Sequence, residues 1–210
     1  MQNPHVPAFV RERMRIAIRQ YRQYGKGVME MVQQHRLHHH LLAELLYEFA
    51  YKDGPEEPAE VTFLYIQHQE SMPVPLYCLT APAQNAQQLY NEKPLRVGLL
   101  SMRHLSLDHI VDVNWLVNRE LPQEEVYLQK DKHCYELAKR QLRLLADKGV
   151  VRRIHLYQTG YHAAVIGFYR ALIEYLRDVR AGKLPYHLFE VTPYYFDQNR
   201  RCYWEGSTWR

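Results

Sequence analysis

Residues 150–191 read VVRRIHLYQTGYHAAVIGFYRALIEYLRDVRAGKLPYHLFEV, and the order of patterns in this stretch decides the fold. Val150–Tyr157 reads as a strand. Thr159-Gly160 reads as a tight turn. From His162 to Arg180 the period lengthens: Val165, Phe168, Tyr169, Leu172, Leu176 and Val179 recur at helical spacing, and Gly182 supplies a stop. Tyr186–Val191 returns to a strand. Strand, helix, strand implies a crossover between two parallel, adjacent strands, since a helix reverses the chain between them.

Working outward, Asp131 is placed to cap a helix running to Lys148, with Cys134, Leu137, Ala138, Leu142 and Leu145 inward and Gly149 as its C-cap. Ser106 can cap another helix ending near Arg119, and Leu95–Leu100 reads as a buried strand. Val61–Ile66 and Val74–Leu79 form a hairpin turning around Glu70–Pro73, its second strand at an edge because of its prolines. A short polar helix is expected at 83–90. Two helices open the chain, the first around Val10–Tyr21 ending near Gly25 and Gly27, the second from Val28 to Tyr51. The expected fold is a single α/β domain over 1–210, a Rossmann-like three-layer sandwich with a mixed, partly parallel sheet. It carries an N-terminal helical pair (1–52) and an added β-hairpin; the sheet and its helices span 60–192, and an aromatic, basic tail spans 193–210.

With 210 residues, 47% hydrophobic and 24% charged, the chain is long and apolar enough to bury a core. No apolar run approaches the roughly 18–20 residues of a membrane span, and residues 1–7 contain no signal-peptide core. Cys78, Cys134 and Cys202 are dispersed and form no Cys-x-x-Cys pair, so a disulfide framework or zinc ribbon is not expected and a reducing, cytoplasmic setting is. Net charge is +4, concentrated at the N-terminus, where residues 1–40 hold seven basic side chains against Glu12 and Glu30.

Ligands of open parallel sheets bind at the carboxyl ends of strands, where strand order reverses. Three expected strands end in polar residues: Ser101-Met102-Arg103-His104, Gln158-Thr159-Gly160-Tyr161-His162 and Thr192-Pro193-Tyr194-Tyr195. Gly160 permits a sharp turn, the following helix aims free N–H groups at the same place, and Arg103 can grip a phosphate or carboxylate. The candidate ligand site is therefore Arg103, His104, Gln158, Thr159, Gly160 and His162. Against it stands the plainer reading of Thr159-Gly160 as a turn serving topology alone. Neither Gly-x-Gly-x-x-Gly nor a Walker A sequence is present, so a standard dinucleotide or nucleoside-triphosphate cradle is not expected.

Arg11, Arg15, Arg19, Arg22 and Lys26 form a stripe at helical spacing that can track phosphates of a nucleic acid. The tail interleaves Tyr194, Tyr195, Phe196, Tyr203, Trp204 and Trp209 with Arg200, Arg201 and Arg210, as base-stacking surfaces do. Solvated helix arginines and core-packing terminal aromatics are the commoner occurrences of both patterns. His35 and His39 share a face with Val28, Val32, Leu42 and Leu46 and are expected buried without metal, since His-Glu-x-x-His is absent. Asp108 and Asp112 flank His109 in an expected first helical turn, where carboxylates serve the dipole. There is no Gly-x-Ser-x-Gly, and no cofactor signature. Three readings follow: a binding protein for a phosphate-bearing ligand, nucleotide or nucleic acid; a small hydrolase or nuclease using His104 or His162 as acid/base; and a scaffold binding a protein through the Arg helix and the tail.

Overall fold

The computed structural model describes residues 8–25, 28–31, 39–51, 59–65, 70–76, 79, 93–99, 107, 109–116, 127–148, 153–158, 162–184, 190–197 and 200–209. It is a mixed α/β fold with two sheets. In chain order the elements are α1 (Ala8–Tyr24), β1 (Val28–Met31), α2 (His39–Tyr51), β2 (Ala59–Tyr65), β3 (Glu70–Leu76), β4 (Leu95–Leu99) and β5 (Val113–Leu116). They continue with α3 (Tyr127–Lys148), β6 (Arg153–Gln158), α4 (His162–Arg180), β7 (Glu190–Asp197) and β8 (Cys202–Glu205).

The larger sheet has strand order β5-β4-β6-β7-β8, parallel except for β8. Strands β6 and β7 are adjacent and parallel and α4 bridges them, as the pattern of 150–191 requires. β7 lies further along the chain than expected: it begins at Glu190, so Thr192-Pro193-Tyr194-Tyr195 sits inside the strand and not at its end. Gly182 does end α4. At φ +69 it closes the helix with Gly182 N–H donating to Val179 O (3.0 Å) and Lys183 N–H to Asp178 O (2.9 Å). Gly25 plays the same part after α1, at φ +70.

Parts of two helices expected from the sequence are strands. Val28–Met31 is β1, paired in parallel with β2, so α2 starts only at His39. The seven residues between Gly27 and His35 are too few to declare a period, and Val28 and Val32 fit a strand as well as a helix face. Likewise the helix expected from Ser106 to Arg119 is broken by a strand; Ser106 and Arg119 lie outside the described residues. Leu107 begins a turn in which Ile110 and Val111 N–H both reach Leu107 O, and Val113–Leu116 is β5. A register shift between Gly98 and Leu99 gives β5 an extra residue. Trp115 is buried there, its ring 6.2 Å from Phe168.

The hairpin β2–β3 forms as expected, but residues 70–73 are strand and the connection is 66–69. With β1 it builds a separate three-stranded sheet, β1-β2-β3, on which α1 packs. Pro73 and Pro75 lie two apart in the edge strand β3, so both missing N–H groups fall on the side that pairs with nothing. β3 packs in turn against α2, α3 and α4.

One core joins these parts. Val97, Leu99, Ile154, Leu156, Val191 and Tyr195 form the inner face of the large sheet, under Val165, Phe168, Tyr169, Leu172 and Leu176 of α4 and Leu45 and Leu46 of α2. The stretch 193–210 is not a tail: it is half of β7, all of β8 and a closing segment whose Trp209 is fully buried and exchanges two 2.9 Å hydrogen bonds with Val191.

Asp131 caps no helix, because α3 begins four residues earlier. It is buried on α3 and paired with Arg170 of α4, whose guanidinium lies 4.7 Å over the Tyr135 ring. Burial pushes its carboxyl up to about 7 despite the pull of Arg170. The native acid thus holds a proton between its unfolded value and about 7, so stability falls as pH rises through that window. Urea denaturation should give a wild type less stable at pH 8 than at pH 5 by about 2–3 kcal/mol from this group, with Asp131→Asn removing that slope.

Candidate functional site

The chain runs from β4 outward to β5, then back across β4 to β6 and on to β7. Strand order therefore reverses between β4 and β6. Their register, from Leu95↔Ile154 to Leu99↔Gln158, ends both strands side by side. Arg103 and His104 follow β4 within five residues, and Thr159 and Gly160 follow Gln158 directly; all four lie outside the described residues. His162 is the first residue of α4, placing the amino end of a 19-residue helix just beyond the end of β6. No acidic residue occupies the first turn of α4, so its positive dipole end is not offset there.

Gln158 belongs to the corner by backbone and to the core by side chain. It is fully buried, and its Oε1 accepts a hydrogen bond from the Tyr169 hydroxyl at 2.9 Å. Tyr169 meets Tyr195, and the Tyr195 hydroxyl donates to Glu44 Oε1 at 3.1 Å. Glu44, buried on α2, also accepts from Ser207 N–H (2.8 Å) and the Ser207 hydroxyl (2.6 Å). Burial first pushes both phenols well above their usual range, reinforced by Glu44 at Tyr169 and by Tyr169 and then Glu44 at Tyr195, so they remain donors. Glu44 was not readable as a partner of this stretch, since nothing local connects α2 to residues 195 and 207.

On β4, Arg96 grips Asp112 through Nε (3.2 Å to Oδ2) and Nη2 (2.7 Å to Oδ1), while Arg96 N–H donates to Asp112 Oδ2 at 2.9 Å. These bonds to Arg96 hold the Asp112 carboxyl down at about 2. Asp112 thus pins the approach to β5 and stands in no helical turn; Asp108 lies outside the described residues, and His109 is exposed in the turn.

Alternation along β6 sends Ile154, Leu156 and Gln158 inward and Arg153, His155 and Tyr157 to the outer face. There His155 and Tyr157 meet Tyr194 of β7, with ring centroids 4.9 and 5.0 Å away, and Tyr157 meets Tyr203 of β8 at 5.1 Å.

In α1, Met14, Ala17 and Ile18 are buried while Arg15, Arg19 and Arg22 are exposed, Arg15 lying 3.9 Å from Glu12. The side chain of Arg11, Lys26, His35 and the side chain of His39 lie outside the described residues, as does 83–90. Cys134 is buried on α3, its thiol pushed up to about 12 chiefly by burial. Among the described residues no group of three or more His, Cys, Asp or Glu could hold a metal ion, and no helix is long and apolar enough to cross a membrane. No family model matches the chain, and no curated protein matches it.

Proposed function

We propose that this chain is a Rossmann-like binding protein for a phosphate-bearing ligand, a nucleotide or nucleic acid, held at the carboxyl ends of β4 and β6. The observation that carries the reading is the reversal of strand order between β4 and β6, with Leu99 and Gln158 in register at their ends. The amino end of α4 supports it by supplying oriented N–H groups and a positive dipole end beside β6. In this reading Arg103 grips the phosphate, Thr159 and Gly160 bring backbone donors to it, and His104 and His162 border it. Gln158 orients the turn from beneath through its bond with Tyr169. The dispersed cysteines, of which Cys134 and Cys202 are free thiols, fit a cytoplasmic setting.

Calorimetry against a panel of mononucleotides and inorganic phosphate tests the corner. Arg103→Ala is expected to weaken binding about tenfold or more, the loss of one charge-assisted hydrogen bond, without moving the thermal melt. Equal affinities of wild type and variant, or no binding by the wild type, would remove the corner as a ligand site.

A further inference from the structure

The outer face of the large sheet is the second surface whose chemistry the core does not explain. Tyr169 of α4 meets Gln158, Phe168 meets Trp115 and Glu44 of α2 meets Tyr195, all on the inner face, and α1 packs on β1 and β2. The solvated face of an antiparallel sheet ordinarily alternates to polar residues. Here three neighbouring strands place rings on it.

We propose that this face binds single-stranded nucleic acid, with bases laid against Tyr157, Tyr194 and Tyr203 and phosphates drawn to Arg96, Arg153 and the Arg200-Arg201 turn. The register puts the rings together: Tyr157 pairs with Tyr194, and Tyr203 pairs with Phe196, the next outward residue of β7. Tyr157 and Tyr194 stack at 17°, and Tyr203 stands edge-on to Tyr157 at 79°. All three tyrosines are half-buried. On this face Arg96 and Arg153 are paired with Asp112 and Glu190, and Arg200 and Arg201 add two positive charges in the turn that leads into β8.

Arg96 uses Nε and Nη2 on Asp112, which leaves Nη1 for a phosphate. Arg153 is only loosely paired with Glu190, at 3.6 Å. A duplex keeps its base faces inside its own stack, so rings select an unpaired strand. This surface lies across the sheet from the inner core and does not rest on the corner proposed above.

Fluorescence anisotropy of the full chain with labelled single strands of about 12 nucleotides, DNA and RNA, reads the proposal directly. Tyr203→Ala, on the edge strand, should weaken binding about tenfold, and Tyr203→Phe should restore it, since stacking needs the ring and not the hydroxyl. Arg96→Ala and Arg153→Ala should each reduce the slope of log affinity against log salt by about one. A duplex of the same sequence should bind more weakly. Cross-linking the unmodified protein to the strand by ultraviolet light should give adducts on β6, β7 and β8, a readout that needs no variant to fold.

Equal affinity for single strand and duplex, adducts confined to other segments, or no binding at about 50 mM salt would overturn the proposal. Mononucleotide binding that is lost in Arg103→Ala while oligonucleotides fail to bind keeps the corner and removes the platform. Oligonucleotide binding lost in Tyr203→Ala and unchanged in Arg103→Ala keeps the platform and counts against the corner.

Discussion

Replacing Trp209 with alanine is expected to destabilise the protein by about 3–5 kcal/mol, the largest single effect among the substitutions considered. The indole is fully buried, with ring centroids of Tyr47, Tyr51 and Tyr169 at 5.5, 5.9 and 5.1 Å. Its removal leaves a void walled by three aromatic rings from two helices, which cannot collapse without moving both. The two hydrogen bonds to Val191 belong to the backbone and survive the change, so the loss reports the side chain alone. Urea denaturation followed by the fluorescence of Trp115 and Trp204 measures it. A loss below about 1 kcal/mol would show that the indole is not part of the core.

The second large effect is expected at Gly167, where α4 presses on α3. A Cβ there would lie 2.6 Å from Asp131 O, 2.9 Å from Tyr135 N and 3.0 Å from Cys134 Cβ. Two of these are backbone atoms of a helix and cannot swing aside. Gly167→Ala should therefore separate the helices and cost about 2–3 kcal/mol, against the usual gain of alanine over glycine within a helix. The seam suffers with it, because Asp131–Arg170, Tyr135–Glu174 and Lys139–Glu174 (2.8 Å) all bridge the same two helices. Unchanged stability on thermal denaturation would mean that α3 and α4 pack less closely than these distances require.

The parallel pair β6 and β7, the crossover α4 and its glycine stop were legible because each is declared by its own residues. A long amphipathic period and a Gly at C′ are local signals, and tertiary context only confirmed them. The short strands β1 and β5 were not legible. Four residues carry little period, and Val28–Met31 becomes a strand because β2 offers it a parallel edge. Asp131 misled for a related reason: an aspartate before a helical pattern looks like a cap, and only Arg170, 39 residues on, explains one inside the helix.

The meeting of the β4 and β6 ends followed from strand order, which the sequence implied in part. The aromatic face was half legible: the interleaved rings and arginines of 194–210 were noticed, but their division was not. Register sends Tyr195 and Trp209 into the core and leaves Tyr194 and Tyr203 outside, a matter of alternation that a stretch read as a tail does not show.

The bond between Glu44 and Ser207 has a consequence for how the molecule is made. The two residues are 163 positions apart, so α2 is synthesised long before the groups that neutralise the cost of burying its carboxylate. Until Tyr195, Ser207 and Trp209 arrive, the Glu44 carboxylate can be satisfied only by water, so the face of the segment that carries it cannot yet be buried. Sealing the core is therefore a late event that closes a very large loop, and chains stalled before it would expose an apolar surface that chaperones recognise.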